Sequence, residues 1–165
     1  MFLKNQYNNL SVTAYNEILN ESEYNLFINC TSDKPLFKNA DNYRLPVEDN
    51  GDHRQYKKLY DCIIFNNCEV LKKIDDCLHQ GKKCNIFCNQ GRQRSCCTYV
   101  CYLMYKGELC TNAINHLKSQ RREAFFGSIN FKDTINDFSS YLKTNNIGFK
   151  QDLYFNGIEG YEHWD

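Results

Sequence analysis

Cys84-Asn85-Ile86-Phe87-Cys88-Asn89-Gln90-Gly91-Arg92-Gln93-Arg94-Ser95 decides the reading of this chain, together with the apolar run Cys96-Cys97-Thr98-Tyr99-Val100-Cys101-Tyr102-Leu103-Met104 behind it. Cys84 to Phe87 follow a Gly81-Lys82-Lys83 turn and read as a short buried strand. The apolar run has the length and composition of a buried helix. Strand, tight loop and helix start in succession gather several backbone N–H groups around one point, where the helix dipole adds its positive end. Such a point suits phosphate. The same field favours thiolate over thiol at Cys88, which makes its sulfur a nucleophile near neutral pH. Arg94 offers a planar two-pronged grip on phosphate oxygens, and that grip strengthens as charge builds in a transition state. The amides of Asn89, Gln90, Gly91, Arg92, Gln93 and Arg94 complete the predicted phosphate cradle.

Outward from this stretch, the pattern alternates. Asn25 to Cys30 reads as a buried strand and Tyr43-Arg44-Leu45 as a short strand that Pro46 ends. Ser11 is placed to cap a helix over Val12 to Leu19, with Val12, Tyr15, Ile18 and Leu19 on one face. Phe2-Leu3 is read as an edge strand, and Thr31 to Asp41 as a loop. Gln55 to His79 carries a long helical stripe with a break expected near Asn66-Asn67; Glu108 to Lys118 and Phe131 to Leu142 are amphipathic helices. Short strands separated by helices, then mostly helices, predict a single α/β domain with a largely parallel central sheet flanked by helices.

The Cys88–Ser95 stretch resembles the signature loop of the cysteine-based protein tyrosine phosphatases, in the dual-specificity branch. Pro46-Val47-Glu48-Asp49-Asn50 is similar to the acid loop of the MAP-kinase phosphatases. Tyr102-Leu103-Met104, Gln120-Arg121-Arg122 and Asn130-Phe131 resemble their downstream helices, and the likeness runs from about Phe2 to Leu142. The resemblance implies a dual-specificity phosphatase-like fold, a twisted sheet with helices on both faces. It implies a catalytic domain over 1–145 and leaves 146–165, with Trp164, as a C-terminal extension. It implies Cys88 as nucleophile, Arg94 as clamp, Asp49 as the acid for the leaving oxygen, and Ser95 as the hydroxyl that stabilises the departing thiolate. Ser95 also reads as a plain helix cap, and the two roles coexist.

Two departures stand out. Asp49 lies further from Cys88 than the family usually shows, which an insertion in the Gln55–His79 helix explains and which keeps Asp52 as an alternative acid. Phe87 stands where the family usually has a His that orders the loop.

Composition bounds the rest. The 165 residues suit one core, and 20 basic against 20 acidic residues leave no global field that marks nucleic acid or an anionic membrane as partner. No apolar run is long enough for a membrane span and the start is no signal peptide, so a soluble cytoplasmic protein is expected. The ten cysteines fall mostly inside apolar periodic segments, without a Cys-x2-Cys pair; no disulfide scaffold, zinc site or cofactor is expected.

Three readings remain at this point. The first is a phosphatase acting on phosphotyrosine and phosphoserine/threonine in proteins. The second is an RNA 5′-triphosphatase or phosphoinositide phosphatase on the same fold, motivated by Arg92 inside the loop, although neutral charge argues against RNA. The third is a weakly active phosphoprotein-binding module, motivated by Phe87.

Overall fold

The computed structural model describes residues 7–148. Four strands, β1 (Leu10–Ala14), β2 (Leu26–Asn29), β3 (Asp41–Arg44) and β4 (Cys84–Cys88), form one parallel sheet in the order β1-β4-β2-β3. Among the described residues four α-helices follow or interleave: α1 (His53–His79), α2 (Arg94–Tyr105), α3 (Cys110–Gln120) and α4 (Lys132–Thr144). β4 pairs on both edges and is buried along its whole length, which is why its sequence is apolar except for Asn85, whose side chain bonds across to β1.

The helix expected over Val12 to Leu19 is not formed. Leu10–Ala14 is a strand, followed by a single 3-10 turn at Tyr15–Glu17. Leu10, Val12 and Ala14 alternate inward, and β4 offers a free edge in register with Leu10 opposite Cys84. Asn85 Nδ2 donates across the strands to Ser11 Oγ at 3.1 Å and Thr13 Oγ1 at 3.2 Å. Those partners are remote in sequence, so tertiary pairing overrode a helical stripe that was a coincidence of spacing. Leu19, assigned to its apolar face, is 93% exposed. The Phe2-Leu3 strand lies outside the described residues, as does the segment containing Trp164.

The break in the long helix is present. Phe65 is extended, and Asn66, Asn67 and Cys68 take left-handed φ of 52°, 58° and 62°. After glycine, Asn is among the residues that tolerate this conformation best, and Asn66 Nδ2 is anchored to Glu69 Oε1 at 2.9 Å.

Among the described residues, the helices cover one sheet face only. Leu10, Val12, Leu26, Ile28, Cys84, Ile86 and Cys88 share a core with residues of all four helices. The opposite face carries Phe27 and Phe87, covered by Tyr15 of the 3-10 turn after β1, by Tyr24 just after a second one at Glu21–Glu23, and by Phe37 in the loop before β3. Phe27 and Phe37 stack at 4.0 Å, and Phe87 meets Phe37 edge-on at 5.7 Å. Three rings from the two segments that link β1, β2 and β3 thus cover the face that the helices leave open.

Phe87 is fully buried in that cluster, on the face away from the Cys88 side chain. A polar ring there would lose its bonds to water among phenyl rings. Phe87→His is therefore expected to destabilise the fold by about 1–3 kcal/mol, read as a lower urea midpoint at unchanged slope; an unchanged midpoint would contradict the packing.

His116 is buried on α3 with its ring stacked 6.3 Å from Tyr99, and burial lowers its pKa from the ordinary value of 6.5. The unfolded chain then binds this proton more readily than the folded one. The His116 contribution to stability is whole above about pH 6.5 and is lost as pH falls below it. His116→Gln should flatten the stability profile between neutral and mildly acidic pH; equal slopes in thermal melts of both proteins would refute this.

Candidate active site

β4 ends at Cys88 and α2 begins at Arg94, so five residues turn the chain through the loop. Gly91 sits at φ +66°, where a Cβ would lie 2.6 Å from Ala14 N and Thr13 C. The turn needs both the left-handed backbone and the missing side chain. Four of the five loop carbonyls face its rear, and the fifth, Gln93 O, accepts from Cys97 N in the first turn of α2. Asn89 O accepts from Tyr15 N at 3.3 Å, Gln90 O from Arg121 Nη2 at 3.3 Å, Gly91 O from Arg121 Nε at 2.7 Å, and Arg92 O from Phe125 N at 2.8 Å. A trans peptide points its N–H opposite its C=O, so the amides of Gln90, Gly91, Arg92 and Gln93 face the front. They donate to no backbone carbonyl among the described residues.

Cys88 Sγ lies 3.2 Å from Ser95 Oγ in the first turn of α2. Arg94 Nη1 donates to Val47 O at 3.0 Å, while its Nε is buried without a protein acceptor. A buried guanidinium N–H left unpaired is costly, and it fits an anion held by the loop. Burial pushes the Cys84, Cys96 and Cys97 thiols up and raises Cys30 to about 12, so these neighbours behave as small hydrophobes.

The three carboxylates of the Pro46–Asp52 segment part company. Glu48 accepts from Ser32 Oγ and is turned aside. Asp52 caps α1 by accepting from Arg54 N at 2.9 Å, and the Arg54 guanidinium and amide hold its carboxyl below the usual range. Asp49 is exposed and accepts from Asn130 Nδ2 at 3.2 Å. Asn130 N in turn donates to Gln93 Oε1 at 2.9 Å, and Gln93 Nε2 donates to Ser128 O at 2.7 Å. One chain of bonds therefore joins Asp49 to the phosphate loop, while Val47, two residues earlier, touches Arg94.

The fold thus brings Cys88, Arg94, Ser95, the loop amides and the Asp49 segment together. It does not bring Asp52 into this arrangement. The Arg92 guanidinium lies 5.4 Å over the Phe126 ring, at the rim, and Phe126 is 70% exposed.

Glu17, Arg121 and the Gln93 side chain have no assigned role in the sequence reading. Arg121 was legible only as part of the Gln120-Arg121-Arg122 likeness to a downstream helix, because every loop atom it holds is about 30 residues away. Arg121 Nη2 also pairs with Glu17 Oε1 at 2.8 Å, and Glu17 Oε1 accepts from Ala14 N at 2.6 Å. Burial works against the Glu17 charge, but the Ala14 amide and Arg121 together lower its pKa.

Residues 5–141 match the family model described as dual specificity phosphatase, catalytic domain. No curated protein shows a significant sequence match. Among solved structures, human DUSP28 is similar at a TM-score of 0.65 and 19% identity, covering 83% of this chain and 95% of its own. A leucine rich repeat and phosphatase domain containing protein from Entamoeba histolytica is similar at 0.63 and 16%, covering 84% and 90%. OH1 from the Orf virus, a tyrosine phosphatase with triple substrate specificity, is similar at 0.58 and 14%, covering 79% and 83%. At these identities the likeness is one of fold.

Proposed function

The chain belongs to the dual specificity phosphatase catalytic-domain family and is a phosphatase of the tyrosine-phosphatase type, and from that premise we propose that it hydrolyses phosphotyrosine and phosphoserine/threonine in proteins through a phosphocysteine on Cys88. The Cys88 thiolate attacks phosphorus, the bond to the substrate oxygen breaks, and Asp49 gives that oxygen a proton. Water then attacks the phosphocysteine, the Asp49 carboxylate takes its proton, and the sulfur–phosphorus bond breaks. Ser95 donates to the departing thiolate. Arg94 and the loop amides stabilise the equatorial oxygens in both steps. In this reading 1–145 is the catalytic domain and 146–165 a C-terminal extension to which no role is assigned.

One observation carries the proposal: in the loop that opens at Cys88, the amides of Gln90 to Gln93 donate to no backbone carbonyl and Arg94 Nε is buried without an acceptor, while Cys88 Sγ has the Ser95 hydroxyl at 3.2 Å. Among the described residues no helix is long and apolar enough to cross a membrane, and the proposed substrate is a phosphorylated protein. The exposed Arg92, steadied on Phe126, favours a second reading on a more highly charged substrate, a phosphoinositide or a 5′-triphosphate RNA.

The test is phosphate release measured in parallel from phosphotyrosyl and phosphoseryl/threonyl peptides, phosphoinositides and 5′-triphosphate RNA. Release from the peptides is expected. Release from the inositides or the RNA alone would replace the protein-phosphatase reading with the second one.

A further inference from the structure

We propose that Arg121 and Glu17 form a positioning pair that aims the phosphate-cradle amides; the consequence for turnover rests on the phosphatase reading, but the consequence for anion binding does not. The argument starts from peptide planarity. In a trans peptide, the direction of each loop N–H is set by the carbonyl of the preceding residue. Two of the four rear-facing carbonyls, Gln90 and Gly91, are held by one guanidinium, at 3.3 Å and 2.7 Å. Fixing them rearward fixes the Gly91 and Arg92 N–H groups forward.

The guanidinium is itself fixed. Its side chain is only 11% exposed, and its Nη1 lies 3.5 Å from Val12 O on β1. Its Nη2 pairs with Glu17 at 2.8 Å, and Glu17 is tied to the Ala14 amide at the end of the same strand. The pair therefore clamps the loop to the sheet edge from behind, without touching the face where phosphate binds. Gly91 makes the arrangement possible, because a Cβ there would lie 2.5 Å from Arg121 Nη2.

Without Arg121, the Gln90–Gly91 peptide loses the bond that sets its direction, and the Gly91–Arg92 peptide keeps only the weak contact of the Cys96 thiol to Gly91 O at 3.4 Å. A flipped peptide would present a carbonyl oxygen to the anion in place of an N–H, turning attraction into repulsion. Lysine does not replace the function, because one ammonium cannot span Gln90 O, Gly91 O and Glu17 in the planar geometry that the guanidinium uses.

The test measures affinity for inorganic vanadate by calorimetry, and kcat and KM on a phosphotyrosyl peptide, for the unmutated chain, Arg121→Ala and Arg121→Lys. Near-UV circular dichroism establishes that each is folded. Both variants are expected to bind vanadate about tenfold or more weakly, with kcat lower by about 10²-fold. Guanidinium ion added to Arg121→Ala is expected to restore part of both, a response that lost packing alone would not give. A folded variant with wild-type vanadate affinity overturns the inference, and Arg121→Lys carries that test if Arg121→Ala does not fold. If the unmutated chain binds vanadate without hydrolysing any phosphoester, the phosphatase reading fails while the vanadate comparison still decides the role of Arg121. If the unmutated chain binds no vanadate, both fail.

Discussion

Cys88→Ser is expected to lower turnover of a phosphotyrosyl peptide by at least about 10⁴-fold while inorganic phosphate still binds. The alcohol of serine is not ionised at neutral pH, so the attacking electron pair is lost. The groups that hold the anion are untouched: the amides of Gln90 to Gln93 are directed by carbonyl contacts behind the loop, and Arg94 is placed by Val47 O. Calorimetry with phosphate and a discontinuous phosphate-release assay separate the two effects. Wild-type-like turnover in Cys88→Ser would end the thiol mechanism, and loss of phosphate binding would show that the cradle depends on the sulfur.

Asp49→Asn is the second large effect. Turnover of an alkyl or aryl phosphate should fall by about 10²-fold, with the basic limb of the pH profile flattened, because no group remains to protonate the leaving oxygen. Substrates with very good leaving groups should suffer less. Asp52→Asn is the control that geometry supplies. Asp52 is occupied in capping α1 and in pairing with Arg54, which holds it as carboxylate, and Asn keeps the cap. Its turnover should stay within about twofold of wild type. If the two variants exchange behaviours, the acid has been assigned to the wrong carboxylate.

Much of the site was legible because its logic is local. Cys88, Gly91, Arg94 and Ser95 sit within one strand–loop–helix unit, and the need for N–H groups around an anion, a left-handed glycine and a forked cation is met by neighbours in the chain. The long helix with its break at Asn66-Asn67, the strand at β2 and the three later helices were legible for the same reason: each carries its own periodicity and punctuation. What was misread is non-local. Val12, Tyr15, Ile18 and Leu19 satisfy a helical spacing, but residues 10–14 become a strand because β4 offers them an edge some seventy residues away in sequence.

By itself, the sequence pointed to a strand–loop–helix unit around Cys88 and Arg94, and to an α/β domain with a parallel sheet. These follow from residue types at fixed short spacings. The tertiary structure adds what separates the three carboxylates, their partners: Ser32 for Glu48, Arg54 for Asp52, and for Asp49 the side chain of Asn130, whose backbone amide bonds on to Gln93 of the loop. It also decided that Phe87 packs into an aromatic layer on the far side of the sheet, and that Arg121 and Glu17 hold the cradle from behind. Direction is the physical reason. A hydrogen bond or a ring contact depends on where two remote backbones place their side chains, and that is set by the register of the sheet and the packing of the loops upon it.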